Sequence, residues 1–226
     1  MEIVPPIQTP APATPRGRRR HTPQAREAFR NELIGIARHI FLTEGYAAVT
    51  IRRITATAGV TPMAFYWYFD TKDALLTHIW DDIILESADL CAAEAAGHTS
   101  PQARVGAYLR CFLDYWLAHR DHFRFIFLNE SPHVDFVSLR SQLFTQAGVS
   151  RHFENYMDLA RPLFAGRADE QARVDEFRIL TMYQALGFLH CAIGIFGYDA
   201  DEAVRHRDRV ISELLQCLER WQSAPA

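Results

Sequence analysis

Two helix-start signals with a glycine turn between them constrain this chain more than any other feature. Thr50 reads as an N-cap, and Ile51, Ile54 and Ala58 then fall on one helical face. Gly59-Val60 marks a tight turn, and Thr61-Pro62 repeats the start with an N-cap and a proline at the first helical position. The second of these short helices is expected over residues 63–69. Helices this short do not hold themselves in water and need a brace. Thr22-Pro23 opens one: Leu33, Ile36, Ala37, Ile40 and Phe41 repeat at helical spacing, and Gly45 stops the run. Such a trio is a helix-turn-helix, with Ile51, Ile54, Val60, Phe65 and Phe69 as its small core.

In a unit of this kind the last helix lies in a DNA major groove with its N-terminal face toward base edges. That face would carry Pro62, Met63, Ala64, Tyr66, Trp67 and Tyr68. Three consecutive aromatics on so short a helix cannot all turn inward, so at least one large ring is left exposed and wants a partner. Charge agrees. Residues 1–75 carry ten Arg/Lys against six Asp/Glu, whereas the remainder carries fourteen against twenty-one. A basic head on an acidic body suits a polyanion at the head. Residues 1–21, proline-rich and ending in Arg16-Gly17-Arg18-Arg19-Arg20, read as a disordered basic arm that can track phosphates or enter a minor groove.

The run Gly45-Tyr46-Ala47-Ala48-Val49-Thr50-Ile51-Arg52-Arg53-Ile54, followed by Ala58-Gly59-Val60-Thr61, Phe65-Tyr66-Trp67-Tyr68-Phe69 and Lys72-Asp73-Ala74-Leu75-Leu76, resembles the DNA-binding domain of the TetR family of bacterial transcriptional regulators. The resemblance covers about residues 30–76. It implies that Thr50 and Thr61 contact phosphate at helix starts, that Tyr66 meets a phosphate or a thymine methyl, and that Trp67 and Tyr68 contact bases or backbone. It also implies that Phe69 is core and that Lys72 meets phosphate. Arg52 and Arg53 are further expected contacts on the first short helix. Met63 and Thr55 depart from the family's usual small residues. Met63 adds bulk against the base edges, so thymine methyls are the natural partners.

The expected domains are the arm (1–21), the helix-turn-helix domain (22–76) and a larger helical ligand-binding and dimerisation domain (77–226). Helices are expected from about residue 72 to 90, from 101, over 138–159, over 169–196 and over 201–221, with a short apolar segment at 123–128. No run alternates with strand period, so the fold class is all-α. Trp80, Tyr108, Phe112, Trp116, Phe123, Phe127, Phe144 and Tyr156 would line a chamber for a small, largely apolar or aromatic effector. The resemblance implies that such an effector repositions the fourth helix and releases the operator. Phe177, Leu180, Tyr183, Leu186, Leu214, Leu218 and Trp221, on the last two helices, exceed the needs of one helical layer and would build a homodimer interface. A dimer reads two half-sites of a pseudo-palindromic double-stranded operator.

Other classes fit less well. Residues 180–198 lack Asp, Glu, Lys and Arg, yet hold Thr181, Gln184, His190 and three glycines, and read as a buried helix rather than a membrane span. Residues 1–15 have no continuous apolar region of a secretory signal. Cys91, Cys111, Cys191 and Cys217 lie far apart, which excludes a Cys-based zinc site and suits a reducing cytoplasm. Glu130-Ser131-Pro132-His133 and His119-Arg120-Asp121-His122 are the only spacings that suggest a metal. The first contains a helix-breaking proline and the second sits at a helix boundary, so no metal and no cofactor is expected. With no phosphate loop, nucleophile elbow or carboxylate pair, the chain reads as no enzyme. Three readings remain: a repressor released by a small molecule; a DNA binder of the same fold, activator or partner-regulated, without such a switch; and a helical-bundle binding protein or enzyme whose helix-turn-helix pattern is accidental.

Overall fold

The computed structural model describes residues 22–128 and 147–223, and every regular element among them is helical. The order is α1 (Pro23–Glu44), α2 (Ile51–Thr57), α3 (Pro62–Phe65), α4 (Lys72–Ala96), α5 (Pro101–Ala118), α6 (Arg120–Phe123), α7 (Ala147–Ala160), α8 (Glu170–Leu189) and α9 (Ala200–Ser223). Two π-helical turns extend this set: Arg124–Leu128 continues α6, and His190–Ile195 continues α8. The basic arm, Phe144 and the Glu130–His133 spacing lie outside the described residues.

Local chemistry sets the helix starts. Thr22, Thr50, Thr71 and Ser100 each have extended backbone, and their hydroxyls accept the N–H of Ala25, Arg53, Ala74 and Ala103 at 3.1–3.2 Å. These bonds satisfy amides that a helix otherwise leaves orphaned. Gly45 ends α1 at φ +79°, and Gly59 turns the chain between α2 and α3 at φ +67°, both in the region that favours glycine.

Two expectations need correction. Thr61 has the extended backbone of an N-cap, but its side chain makes no capping hydrogen bond. The last helix of the motif also ends at Phe65 rather than Phe69. Tyr66 relaxes to ψ −8°, and the Tyr68 N–H reaches back three residues to the Phe65 carbonyl at 2.9 Å, so the aromatic run follows as a tight turn. Aromatic residues are poor helix formers, and the Arg26 guanidinium donates to the Trp67 carbonyl at 2.9 Å, holding this end from outside.

α4 belongs to both halves of the molecule. Its first turns bury Leu75, Leu76 and Ile79 beneath α1–α3, and its middle carries Trp80, Ile83 and Ile84 into the body. Polar ties run along it from α1: Arg38 meets Glu86 at 2.9 Å, and an Arg30 N–H donates to His78 Nε2 at 2.6 Å. The head therefore rides on a strut whose far part is body.

Candidate nucleic-acid interface and effector chamber

Phe65 and Phe69 are buried with ring centroids 5.5 Å apart, and together with Ile54 and Val49 they fix α2 against α3. What they leave outside is an apolar edge. Met63, Tyr66 and Trp67 are 66%, 50% and 66% exposed at i, i+3 and i+4, so they share one side of the motif. Thr50, Arg52, Thr61 and Pro62 are exposed around that edge.

The other expected contacts are placed differently. Ala64 is buried, so its methyl is withdrawn from any groove; it stands on the inner side with Phe65. Tyr68 is half-buried against Phe29 at 5.1 Å, with the Arg26 guanidinium 5.9 Å from its ring. Arg53 forms an ion pair with Glu44. The Lys72 ammonium stands 4.2 Å over the Tyr46 ring. To meet phosphate, Arg53 and Lys72 must share or leave these partners.

The body encloses a cavity of about 350 Å³ between α4, α5, α7, α8 and the Arg124–Leu128 turn. Phe112, Trp116, Phe123 and Phe127 line it, joined by Ile84, Ile126, Val149, His152, Met182 and Leu186. Tyr108 and Tyr156 border an annex of about 50 Å³ that shares Phe112, His152 and Leu186 with the main space. Trp80 does not reach either space; it is buried and meets Phe125 edge-on at 5.2 Å. An aromatic-only criterion missed Ile84, Met182 and His152, because aliphatic and imidazole walls carry no special signal at helical spacing.

The turn Arg124–Leu128 faces two ways. Ile126 and Phe127, with Phe123 just before them, line the cavity, whereas Phe125 points to the head, 5.0 Å from Phe41, 4.4 Å from Tyr46 and 5.2 Å from Trp80. A polar cleft of about 570 Å³ separates α1 from this segment on the far side of Phe41, Tyr46, His122 and Phe125.

A family model described as bacterial regulatory proteins of the tetR family matches residues 33–79. This is the stretch whose short helices, glycine turn and exposed edge are set out above. Residues 33–79 are thus similar to the DNA-binding part of tetR-family regulators. The HTH-type transcriptional regulator AcrR of Shigella flexneri is 32% identical over 62 residues, a match covering 27% of this chain and 29% of AcrR. The curated relative is thus matched over less than a third of its length. Solved structures extend the likeness of fold to the body. A TetR/AcrR-family transcriptional regulator from Thermobifida fusca is 22% identical, covers 83% of this chain and 97% of its own, and has a TM-score of 0.55. Bacillus subtilis FadR, solved in complex with stearoyl-CoA, is 11% identical with a TM-score of 0.58, covering 82% of this chain and 97% of its own.

The last two helices present a different outer face from the expected one. Phe177, Leu214 and Leu218 are fully buried within one protomer. Phe177 stacks on Tyr156 at 5.9 Å and meets Trp221 edge-on at 6.1 Å, which also draws Trp221 inward. Leu186 lines the cavity, and Leu180 is half-buried against the core. Only Tyr183 of the expected set stands well out, 76% exposed, and Ile179 one turn before it is 47% exposed. The segment Glu170–Ile195 is also long and apolar enough to cross a membrane. However, its inner face is built into this core through Val174, Phe177, Thr181 and Phe188.

His119 and His122 stack parallel at 5.1 Å, and no group of three or more His, Cys, Asp or Glu among the described residues is placed to hold a metal ion. Burial lowers the pKa of His78, His122 and His152, the last to about 4. The unfolded chain, titrating near 6.5, takes up these protons first. Stability is therefore complete above about pH 6.5 and is lost as pH falls below it. The melting temperature is expected to hold a plateau at pH 7–8 and to drop between pH 6.5 and 4.5. His152 alone contributes on the order of 3 kcal/mol once pH reaches its folded value. A melting temperature that rises on acidification through this range would reverse the sign of these burial terms.

Proposed function

We propose that this chain is a sequence-specific DNA-binding transcriptional regulator of the cytoplasm, a homodimeric repressor released from a pseudo-palindromic operator by a small apolar or aromatic effector. The exposed edge of Met63, Tyr66 and Trp67 on a helix-turn-helix head is the observation that carries it. A soluble protein that sets three large apolar side chains side by side in water has a surface that expects a partner. With threonines and an arginine around it, that partner is a duplex: the rings take thymine methyls and the hydroxyls take phosphates.

Release follows from the shared strut. Ile84 on α4 and Phe123, Ile126 and Phe127 beside Phe125 border the same cavity. A molecule that fits best when these walls move apart shifts the equilibrium toward a head position that no longer matches two half-sites. The same duplex-bound state binds that molecule more weakly, by the same factor.

Selection of bound duplexes from a random pool tests the reading. A pseudo-palindrome with half-sites about one helical turn apart is expected, and no retention of duplex at low salt would refute it. Tyr66→Ala and Trp67→Ala are each expected to weaken the selected duplex by roughly 5- to 100-fold, with the oligomeric state unchanged. Lys72→Ala should lower the slope of log affinity against log salt by about one. Affinities equal to wild type in all three variants would move the interface elsewhere. An operator complex that no small molecule dissociates would return the second reading, a DNA binder without an effector switch.

A further inference from the structure

Arg178, Met182, Leu186 and His190 follow one another at four-residue steps along α8 and the turn that continues it, and all four border the chamber. Met182 and Leu186 are shared by the main cavity and its annex, His190 belongs to the main cavity, and Arg178 belongs to the annex. Among the described residues, Arg178 is the one Arg, Lys, Asp or Glu that borders either space. The chamber thus has a fixed positive charge at one end and no carboxylate on its wall to repel an anion.

The guanidinium of Arg178 is held in place but incompletely answered. It stands 5.4 Å from the ring centre of Phe153, a residue that lines both spaces. Its Nε is buried without a hydrogen-bond partner, and the Asp175 carboxylate, one turn back, stays 3.9 Å from that nitrogen. The side chain as a whole is 32% exposed, so it keeps surface for a further partner. A guanidinium resting on an aromatic ring is weakly hydrated and pairs readily with a planar acid. A carboxylate alone in an apolar space is costly, whereas one that meets such a fork is compensated.

Resting on the reading of this cavity as the effector site, we propose that the chamber takes an amphipathic organic acid. Its apolar body lies in the main cavity along Met182 and Leu186, and its carboxylate meets Arg178 at the annex. Arg178 and Leu186 are roughly 12 Å apart along the helix axis, so the body is elongated. The annex, about 50 Å³, has room for a few water-sized groups, enough for a carboxylate. A neutral molecule of the same shape gains nothing from Arg178, and a cation is repelled by it.

Decanoate, 1-decanol and decylamine share one apolar chain and differ in the head group, and each is titrated calorimetrically into the full chain at neutral pH. Decanoate is expected to bind about tenfold more tightly than decanol, and decylamine most weakly. In Arg178→Gln the acid should lose about tenfold while decanol binds as before. Arg178→Lys keeps the charge without the fork and should recover part of the preference. In His190→Gln the preference should persist. The comparison on the wild-type protein stands even if a variant fails to fold. Decanol binding as tightly as decanoate, or more so, overturns the acid and leaves the effector chamber standing. A preference lost in His190→Gln and kept in Arg178→Gln overturns the assignment to Arg178. Failure of all three probes to bind overturns both the inference and the chamber on which it rests.

Discussion

Replacing Tyr183 with aspartate is expected to leave a folded monomer that holds a palindromic operator on the order of 100-fold more weakly than wild type. The expectation follows from what faces water. Tyr183 is 76% exposed and Ile179 is 47% exposed one turn away, and the same side of α8 continues through Gly187, where no side chain or backbone comes within 4 Å of the Cβ position. An apolar side chain pair above a bare glycine is a surface on which a second helix can lie close. In a two-fold dimer each substitution occurs twice, so two carboxylates would be brought together out of water. The folded protomer barely notices, because exposed positions usually change stability by less than about 0.5 kcal/mol. Size-exclusion with light scattering, together with operator titration, checks both halves. Leu218→Asp provides the contrast. Leu218 is fully buried, so that change should unfold the protomer rather than dissociate it. A Tyr183→Asp protein that remains dimeric would place the interface elsewhere.

That contrast also marks where the sequence stops being informative. The starts of α1 and α2 and the turn at Gly59 are legible because a threonine hydroxyl, a proline and a positive φ are local matters. The inward side of α8 is not. Phe177, Ile179, Leu180 and Tyr183 crowd more than one side of one helix, so a 3.6-residue period has no preferred direction there. Which side faces in is decided by Tyr156 and Trp221, neighbours from other helices. α9 misleads in the opposite way. Its stripe of Leu214 and Leu218 is clean, but a clean stripe means only that one side is buried, and here the protomer itself buries it.

The interface and chamber divide along the same line. Phe65 inside with Met63, Tyr66 and Trp67 outside follows from crowding on a short segment, which is countable in the sequence. Its end at Phe65 depends on Arg26, forty-one residues before Trp67, and could not be counted. His152 shows the limit most plainly. As a lone histidine it carries no signal, and it gains chemical meaning only from the Tyr108 hydroxyl on α5, forty-four residues away.

Phe125→Leu is expected to bind operator and effector within about threefold of wild type and yet lose about tenfold of the effector's ability to release the operator. Phe125 is buried among Phe41 of α1, Tyr46 and Trp80 of α4, while Ile126 and Phe127, which follow it in the same turn, form the cavity wall. Phe125, Ile126 and Phe127 belong to one short π-helical turn and share its backbone, so a shift of Ile126 or Phe127 by an occupant carries Phe125 with it. The aromatic ring is what makes this transmission stiff: its contacts have defined tilts, whereas leucine fills similar space and can change rotamer. Leucine is chosen because alanine would leave a cavity costing about 3–5 kcal/mol and confuse coupling with stability. The melting temperature of the leucine variant should fall by a few degrees only. The quantity to measure is the ratio of operator dissociation constants with and without saturating effector, since spatial position between two sites does not by itself establish a route. A ratio unchanged from wild type would remove Phe125 from the path and leave α4, through Ile84, as the element that carries the signal.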